Sequence, residues 1–252
     1  MPASLLPHLF PGQWALVLAA GFCVGLSKGG FAGVGLIPML LFAEVFPAKL
    51  STGLLLVPLI VGDFTAVNAF HQHADWRQIR RLLPPTVIGI AVGWWSLSRL
   101  DNAQLRPLIG AIVLVLVAVQ LVRGRLGAWI ESGFQSRGFA WALGWLGGWT
   151  TMLANAAGPV MGLYFLAIRL PKLVYVGTAA WFFCIGNLIK VPFSLSLGLI
   201  TGPGLVLAAC LAPLIVAGVF GGRWLLHRVS QVWFERLVLV AAIAGALRLL
   251  LA

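Results

Sequence analysis

The sequence has 252 residues, of which 61% are hydrophobic and only 9% are charged. A soluble domain carries about 25% charged residues, so this chain lacks the polar surface that a water-exposed globule needs. Its 17 lysines and arginines outnumber six acidic residues, giving a net charge of +11. Because most basic residues stand singly or in short groups between apolar runs, they indicate membrane topology rather than a nucleic-acid surface. Composition therefore predicts an all-α integral membrane protein and excludes soluble enzymes, nucleic-acid-binding proteins and disordered tails.

Apolar runs define the predicted helices of the first half in chain order. The run over 1–44 is interrupted by Lys28 and by the glycines of GLSKGGFAGVG. A transmembrane helix needs about 20 residues, so we predict one helix that ends near Ser27 and another that continues toward Phe46. Three further spans are predicted within 50–70, 82–98 and 107–122.

The second half shows the same order of elements. Its first run, 139–168, is broken around Asn155-Ala156-Ala157-Gly158-Pro159, and the run over 173–222 divides near Thr201 to Gly204. A last helix is predicted within 237–252. Each half is therefore expected to contain a glycine-broken helical hairpin followed by three transmembrane helices.

Matched residues support a repeat. At an offset of 124, Pro47, Gly53, Gly62 and Asp63 match Pro171, Gly177, Gly186 and Asn187. At an offset of 129, Pro84, Gly89, Gly93 and Arg99 match Pro213, Gly218, Gly222 and Arg228. We therefore divide the chain into a first membrane repeat, 1–124, a cytoplasmic linker, 125–137, and a second membrane repeat, 138–252.

The basic residues predict how the two repeats are oriented. If the loop with Arg77, Arg80 and Arg81 is cytoplasmic and each broken segment is a hairpin, eleven basic residues lie inside, four lie outside, and Lys28 and Lys190 lie within the membrane. This positive-inside bias makes the halves inverted repeats, with both chain termini outside. The alternative, in which each broken segment is a single crossing, weakens the bias.

Three charged residues, Lys28, Asp63 and Lys190, lie well inside apolar runs. A charge at the centre of a bilayer costs at least about 2.5–3.5 kcal/mol, so one that is retained usually faces a cavity. Lys28 either binds an anion at the glycine-rich break or snorkels toward the headgroups. Lys190 either contributes to the same site or ends its helix near an interface, because Val191-Pro192 follows. Asp63 either pairs with a lysine or carries a coupled proton.

We predict one anion site framed by both breaks near the membrane midplane. Glycines allow backbone N–H groups to approach an anion closely, and the helix that follows presents its positive N-terminal end. The predicted binding residues are Ser27, Lys28, Gly29, Gly30, Gly33, Thr151, Asn155, Ala156, Gly158, Trp181, Asn187 and Lys190.

The sequence lacks the motifs of metal-binding and nucleotide-binding sites. Cys23, Cys184 and Cys210 lie in apolar stretches without metal-ligand spacing, so we expect buried hydrophobic side chains rather than a metal site. The sequence has no nucleotide-binding loop, which argues against an ATP-driven pump. We expect no enzyme activity and no cofactor.

The segments GFCVGLSKGGFAGVGLIPMLL, PAKLSTGLLLVPLIVGDF, ANAAGPV and LPKLVYVGTAAWFFCIGNLIKVPFSL together resemble the sulfite exporter TauE/SafE family, also called the toluene sulfonate uptake permeases. The resemblance covers nearly the whole chain. It implies a multi-pass carrier of the bacterial inner membrane for sulfur-containing anions such as sulfite, thiosulfate, sulfoacetate or other organosulfonates. It also implies that the broken segments, 27–33 and 155–159, form the substrate region.

These observations predict a secondary transporter of a small anion that works by alternating access, with protons as the expected coupling ion. Its expected partners are the anion and the lipid bilayer, with no nucleic acid, and a homodimer is left open. Two alternatives remain: a passive anion channel, and a membrane scaffold or assembly protein that transports nothing. The sequence does not specify which anion is carried or in which direction.

Overall fold

The structure, a computed structural model, describes residues 9–122, 137–168, 170–225, 240 and 243–251. Within these ranges every regular element is helical. The helices are α1 (Pro11–Lys28), α2 (Leu36–Val45), α3 (Ala48–Phe70), α4 (Trp76–Arg99), α5 (Asn102–Val122), α6 (Arg137–Ala154), α7 (Ala157–Ala167), α8 (Lys172–Ser196) and α9 (Gly202–Leu225). Residues 243–251 are also helical, and short 3-10 turns occur at Ala32–Gly35 and His71–His73.

Four of the described helical stretches are long and apolar enough to cross a membrane: Ala48–His73, Asn102–Val119, Leu173–Ser196 and Gly202–Leu225. Large apolar side chains on these helices face outward, among them Phe64, Val115 and Phe220. Lipid rather than water suits such an apolar surface. A helix can cross the lipid because the backbone hydrogen bonds along its length are made within the helix. The predicted all-helical membrane protein is confirmed at this level.

The two predicted helix interruptions both occur. In the first half, α1 ends at Lys28, and the turn that follows contains Gly30 at a φ of 120°. In the second half, α6 ends at Ala154, and Asn155 follows with a φ of 53°. Glycine and asparagine are the residues that enter this left-handed region at least cost, and they commonly terminate helices. In both halves the next helix packs against the one before it.

Glycines allow the first helix of each half to pack closely against a helix of the other half. Gly25 of α1 lies against the backbone of α9 at Gly218, and Gly148 of α6 lies against the backbone of α4 at Thr86. A Cβ atom added at either glycine would collide with the neighbouring main chain. These glycines are therefore helix-contact residues that allow two helix backbones to approach closely.

The helices α3 and α8 run in opposite directions through the centre of the molecule. Gly53 near the start of α3 lies against Leu199 just beyond α8, and Gly177 near the start of α8 lies against Phe70 at the end of α3. This crossing brings the middle of α3 next to the middle of α8.

The structure corrects one sequence-based alternative for Lys190. Although Pro192 follows, α8 continues to Ser196, so Lys190 does not end its helix. Prolines are tolerated inside membrane helices because neighbouring groups can satisfy the freed carbonyls. The predicted linker lies outside the described residues except for Arg137, which begins α6, and the last predicted helix is described only at 240 and 243–251.

Candidate functional site

A cavity lies between the two breaks, with about 800 Å³ of empty space including its opening. It is bordered by the ends of α1 and α6, the starts of α2 and α7, and one face of α8. Its polar wall is formed by Ser27, Lys28, Thr151, Asn155, Tyr175 and Asn187. Much of the remaining wall is apolar and includes Leu36, Leu59, Phe165, Val176 and Phe183. The cavity therefore combines an apolar body with a polar end at the breaks.

Lys28 brings a positive charge to the cavity wall. Its Nζ lies 2.5 Å from Oδ1 of Asp63 and 4.7 Å from the centre of the Phe183 ring. The side chain of Lys28 is 10% exposed, whereas that of Asp63 is fully buried. A buried carboxylate needs such a partner, because its desolvation costs several kcal/mol. The ammonium points inward to Asp63, so the snorkelling alternative for Lys28 is wrong.

Asp63 also bonds to the residue that matches it in the other half. Nδ2 of Asn187 donates a hydrogen bond of 2.6 Å to Oδ2 of Asp63. The carboxylate therefore pairs with a lysine from α1 and an amide from α8. Of the two roles left open for Asp63 by the sequence, pairing with a lysine is present in the structure.

Lys190 is buried behind the cavity wall, with only 2% of its surface exposed. Its Nζ donates to Oδ1 of Asn155 at 2.5 Å, to Oγ1 of Thr151 at 3.3 Å and to Oδ1 of Asn187 at 3.4 Å. An ammonium has three donors, so the protein supplies one neutral oxygen for each of them.

The hydrogen bonds join the two breaks in one network. Nδ2 of Asn155 donates to the main-chain carbonyl of Thr52 at 2.9 Å, which leaves the amide oxygen of Asn155 to face Lys190. Similarly, Nδ2 of Asn187 donates to Asp63, which leaves the amide oxygen of Asn187 to face Lys190. Each hydrogen bond of the network therefore joins one donor to one acceptor. The network connects α1, α3, α8 and the α6–α7 break.

Eight of the twelve predicted binding residues lie in the cavity wall: Ser27, Lys28, Gly30, Thr151, Asn155, Ala156, Gly158 and Asn187. The other four are elsewhere. Gly29 packs against the backbone of α9 at Val219, and Gly33 belongs to the 3-10 turn Ala32–Gly35. Lys190 lies behind the wall and contacts three residues that form it.

Trp181 lies at a helix contact rather than in the cavity wall where we expected it. Its ring centre is 5.1 Å from that of Trp76, the first residue of α4. The residues of α8 that line the cavity recur at helical spacing, over 175–176, 179–180, 183 and 187. Position 181 falls outside this stripe, since side chains on one face of a helix repeat every three or four residues.

Several residues of the site were not among the binding residues predicted from the sequence. Tyr175 and Phe183 line the cavity from α8, and counting back from Asn187 in steps of three and four would have found both. Thr52 contributes its main-chain carbonyl, and no property of its side chain signals that role.

The sequence matches a known protein family over almost its entire length. The sequence model described as "Sulfite exporter TauE/SafE" matches residues 16–249, a range that includes both breaks and the whole network. No curated protein and no solved structure matches the chain. The proteins of this family are membrane exporters of sulfite and other anions rather than enzymes. On the strength of this match over almost its entire length, the chain belongs to the sulfite exporter TauE/SafE family.

Proposed function

We propose that this protein is a secondary transporter that carries a small sulfur-containing anion across the bacterial inner membrane. The observation that carries the proposal is the position of Lys28, which lines the cavity while its ammonium is paired with the buried Asp63. A cation at a break of two helices, next to backbone N–H groups, is the arrangement that anion carriers use.

The charges around the cavity favour an anion. Lys28, Lys190 and Asp63 together leave one net positive charge inside the protein while Asp63 is ionised, and two once Asp63 is protonated. An anion offsets this excess positive charge in a poorly solvated site. The apolar wall, with Phe165 and Phe183, suits an organic sulfonate.

Proton coupling follows from the two roles of Lys28. Protonation of Asp63 removes the charge that holds Lys28, so the ammonium becomes free to bind the anion. Proton binding and anion binding then favour each other, and they do so reciprocally. The charged or titratable groups around Asp63 are Lys28 from α1, and Lys190 and the thiol of Cys184 from α8. The proton and the anion would move in the same direction.

Alternating access between inverted repeats completes the proposed mechanism. Its support is the reciprocal packing of α1 on α9 and of α6 on α4, since the glycines at the two contacts match in the two halves. The cavity also extends from the breaks to Tyr175 near the start of α8. In this mechanism one part of the bundle rocks against the rest around the site.

Flux in proteoliposomes tests the proposal against its two alternatives. We expect saturable uptake of a sulfonate or of bisulfite that is accelerated by an inward proton gradient. An anion current that is proportional to voltage and does not saturate would indicate a channel. A reconstituted protein that moves none of these anions, while it still unfolds cooperatively on heating, would favour a scaffold.

A further inference from the structure

The ammonium of Lys190 occupies a small cage of neutral oxygens at the end of α6. We propose, on the basis of the transport function above, that Lys190 is a tethered cation. Its ammonium permanently fills a site of the kind that a free monovalent cation would fill, and it positions the α6–α7 break rather than binding the anion.

The first support is the set of partners. Thr151, Asn155 and Asn187 each point one oxygen at Nζ, within 2.5–3.4 Å. Hydroxyl and amide oxygens are the ligands that hard cations take in proteins. Neither amide can rotate without loss, because its nitrogen already donates to Thr52 or to Asp63.

The second support is the position of the cage relative to α6. Thr151 lies in the last turn of the helix, and Asn155 follows its final residue, Ala154. The C-terminal end of a helix carries a partial negative charge, which a nearby cation stabilises. In transporters with broken helices, such ends hold the coupling cation. Here the chain supplies the cation from α8.

The third support is the contrast between the two lysines in the membrane. Lys28 lies in the cavity wall and shares its ammonium with a carboxylate, so an incoming anion can compete for it. Lys190 lies behind the wall, and an anion would have to displace Asn155 and Asn187 to reach it. Lys190 is therefore a positioning residue.

The consequence is a break that is held by two other helices, α8 and α3. Through Asn155, the ammonium on α8 is linked to the carbonyl of Thr52 on α3. The residues that begin α7, Ala157 and Gly158, line the cavity directly beyond this link. We therefore expect transport to proceed without Na⁺ or K⁺, because the site is already filled.

Chemical rescue tests the tethered cation. Lys190→Ala removes the side chain and connects the cage to the cavity, because all three cage residues also line the cavity wall. We expect the Tm of the purified variant to fall by about 5 °C or more. Methylammonium chloride should then raise the Tm of the variant with increasing concentration, as a ligand of the native state does. It should also restore uptake, while choline chloride at equal ionic strength should do neither.

Two controls separate this outcome from general salt effects. The wild-type protein should show no added stabilisation by methylammonium over choline. Lys190→Met, which refills the cage with an uncharged chain of similar length, should have a reduced but measurable uptake rate that methylammonium does not restore. A rise in Tm of equal size for methylammonium and choline in Lys190→Ala would overturn the proposal.

If Lys190→Ala does not fold, the transport kinetics of Lys190→Met distinguish a positioning role from direct binding of the anion. A positioning role predicts a lower maximal rate and the same fold-change in KM for a monoanion and a dianion. A rise in KM that is several-fold larger for the dianion would instead make Lys190 an anion ligand. The Tm measurements need no substrate, so they test the cage independently of transport. If methylammonium restored the stability of Lys190→Ala but the wild-type protein transported no anion, the transport function would be rejected and the proposed cation cage would stand.

Discussion

Lys28 faces two partners, the carboxylate of Asp63 and any anion in the cavity. A hydrogen bond that involves a charged group contributes about 1.5–3 kcal/mol, so removal of the ammonium should raise KM by roughly 10- to 100-fold. We expect this rise in Lys28→Met combined with Asp63→Asn, a double variant that removes both members of the ion pair, so that neither is left without the other. Initial rates of uptake in proteoliposomes measure it.

A matched control for Lys28 is Lys49, whose ammonium bonds to the carbonyl of Leu100 outside the cavity. Lys49→Met should keep the wild-type KM. An unchanged KM in the Lys28→Met, Asp63→Asn double variant would show that the anion does not bind at Lys28.

Asp63 should set the pH dependence of uptake. Lower pH on the side of entry favours its protonation and so releases Lys28, which raises the uptake rate of the wild-type protein. Asp63→Asn resembles the protonated state permanently, so we expect anion exchange to persist while the proton gradient loses its effect. Glu44→Gln is the control, since that carboxylate bonds to Arg248 outside the cavity. A wild-type response to the proton gradient in Asp63→Asn would contradict this role.

At the scale of elements, close packing of α1 on α9 depends on glycine. Gly25→Val would place a branched side chain against the backbone at Ile215 and Gly218. Overpacking of this kind costs about 1–3 kcal/mol or more, so we expect a lower Tm in detergent and lower yield. Gly186→Val on α8 is the matched control, because a Cβ atom there has no described neighbour within 4 Å. Equal stability of the two variants would contradict the importance of this contact.

The helix breaks were predictable because their causes are local. Gly30 and Asn155 adopt left-handed backbone angles, and these residue types enter that region at low cost. The places of Trp181 and Lys190 were not predictable in the same way. Trp181 faces Trp76 because of the rotation of α8 about its axis, and Lys190 remains within its helix because tertiary contacts outweigh Pro192. Both depend on neighbours that are distant in the sequence.

At the scale of the whole molecule, the predicted repeat and the polar network involve the same two residues. Asp63 and Asn187 match at an offset of 124, and the antiparallel crossing of α3 and α8 brings them into contact. The same position therefore provides a carboxylate from one half and an amide from the other. In the predicted repeat this difference leaves one titratable group at the centre, and the asymmetry gives the proposed proton coupling a single site.

The positive-inside bias predicts which face of the molecule meets the cytoplasm. Arg77, Arg80 and Arg81 follow the turn between α3 and α4, so Gln72 in that turn should be cytoplasmic, and Ala103 near the start of α5 should be outside. Both residues are exposed. In a variant without native cysteines, a membrane-impermeant maleimide should label Ala103→Cys in spheroplasts, whose inner membrane is intact. Gln72→Cys should be labelled only after that membrane is permeabilised. The reverse pattern would contradict the predicted topology.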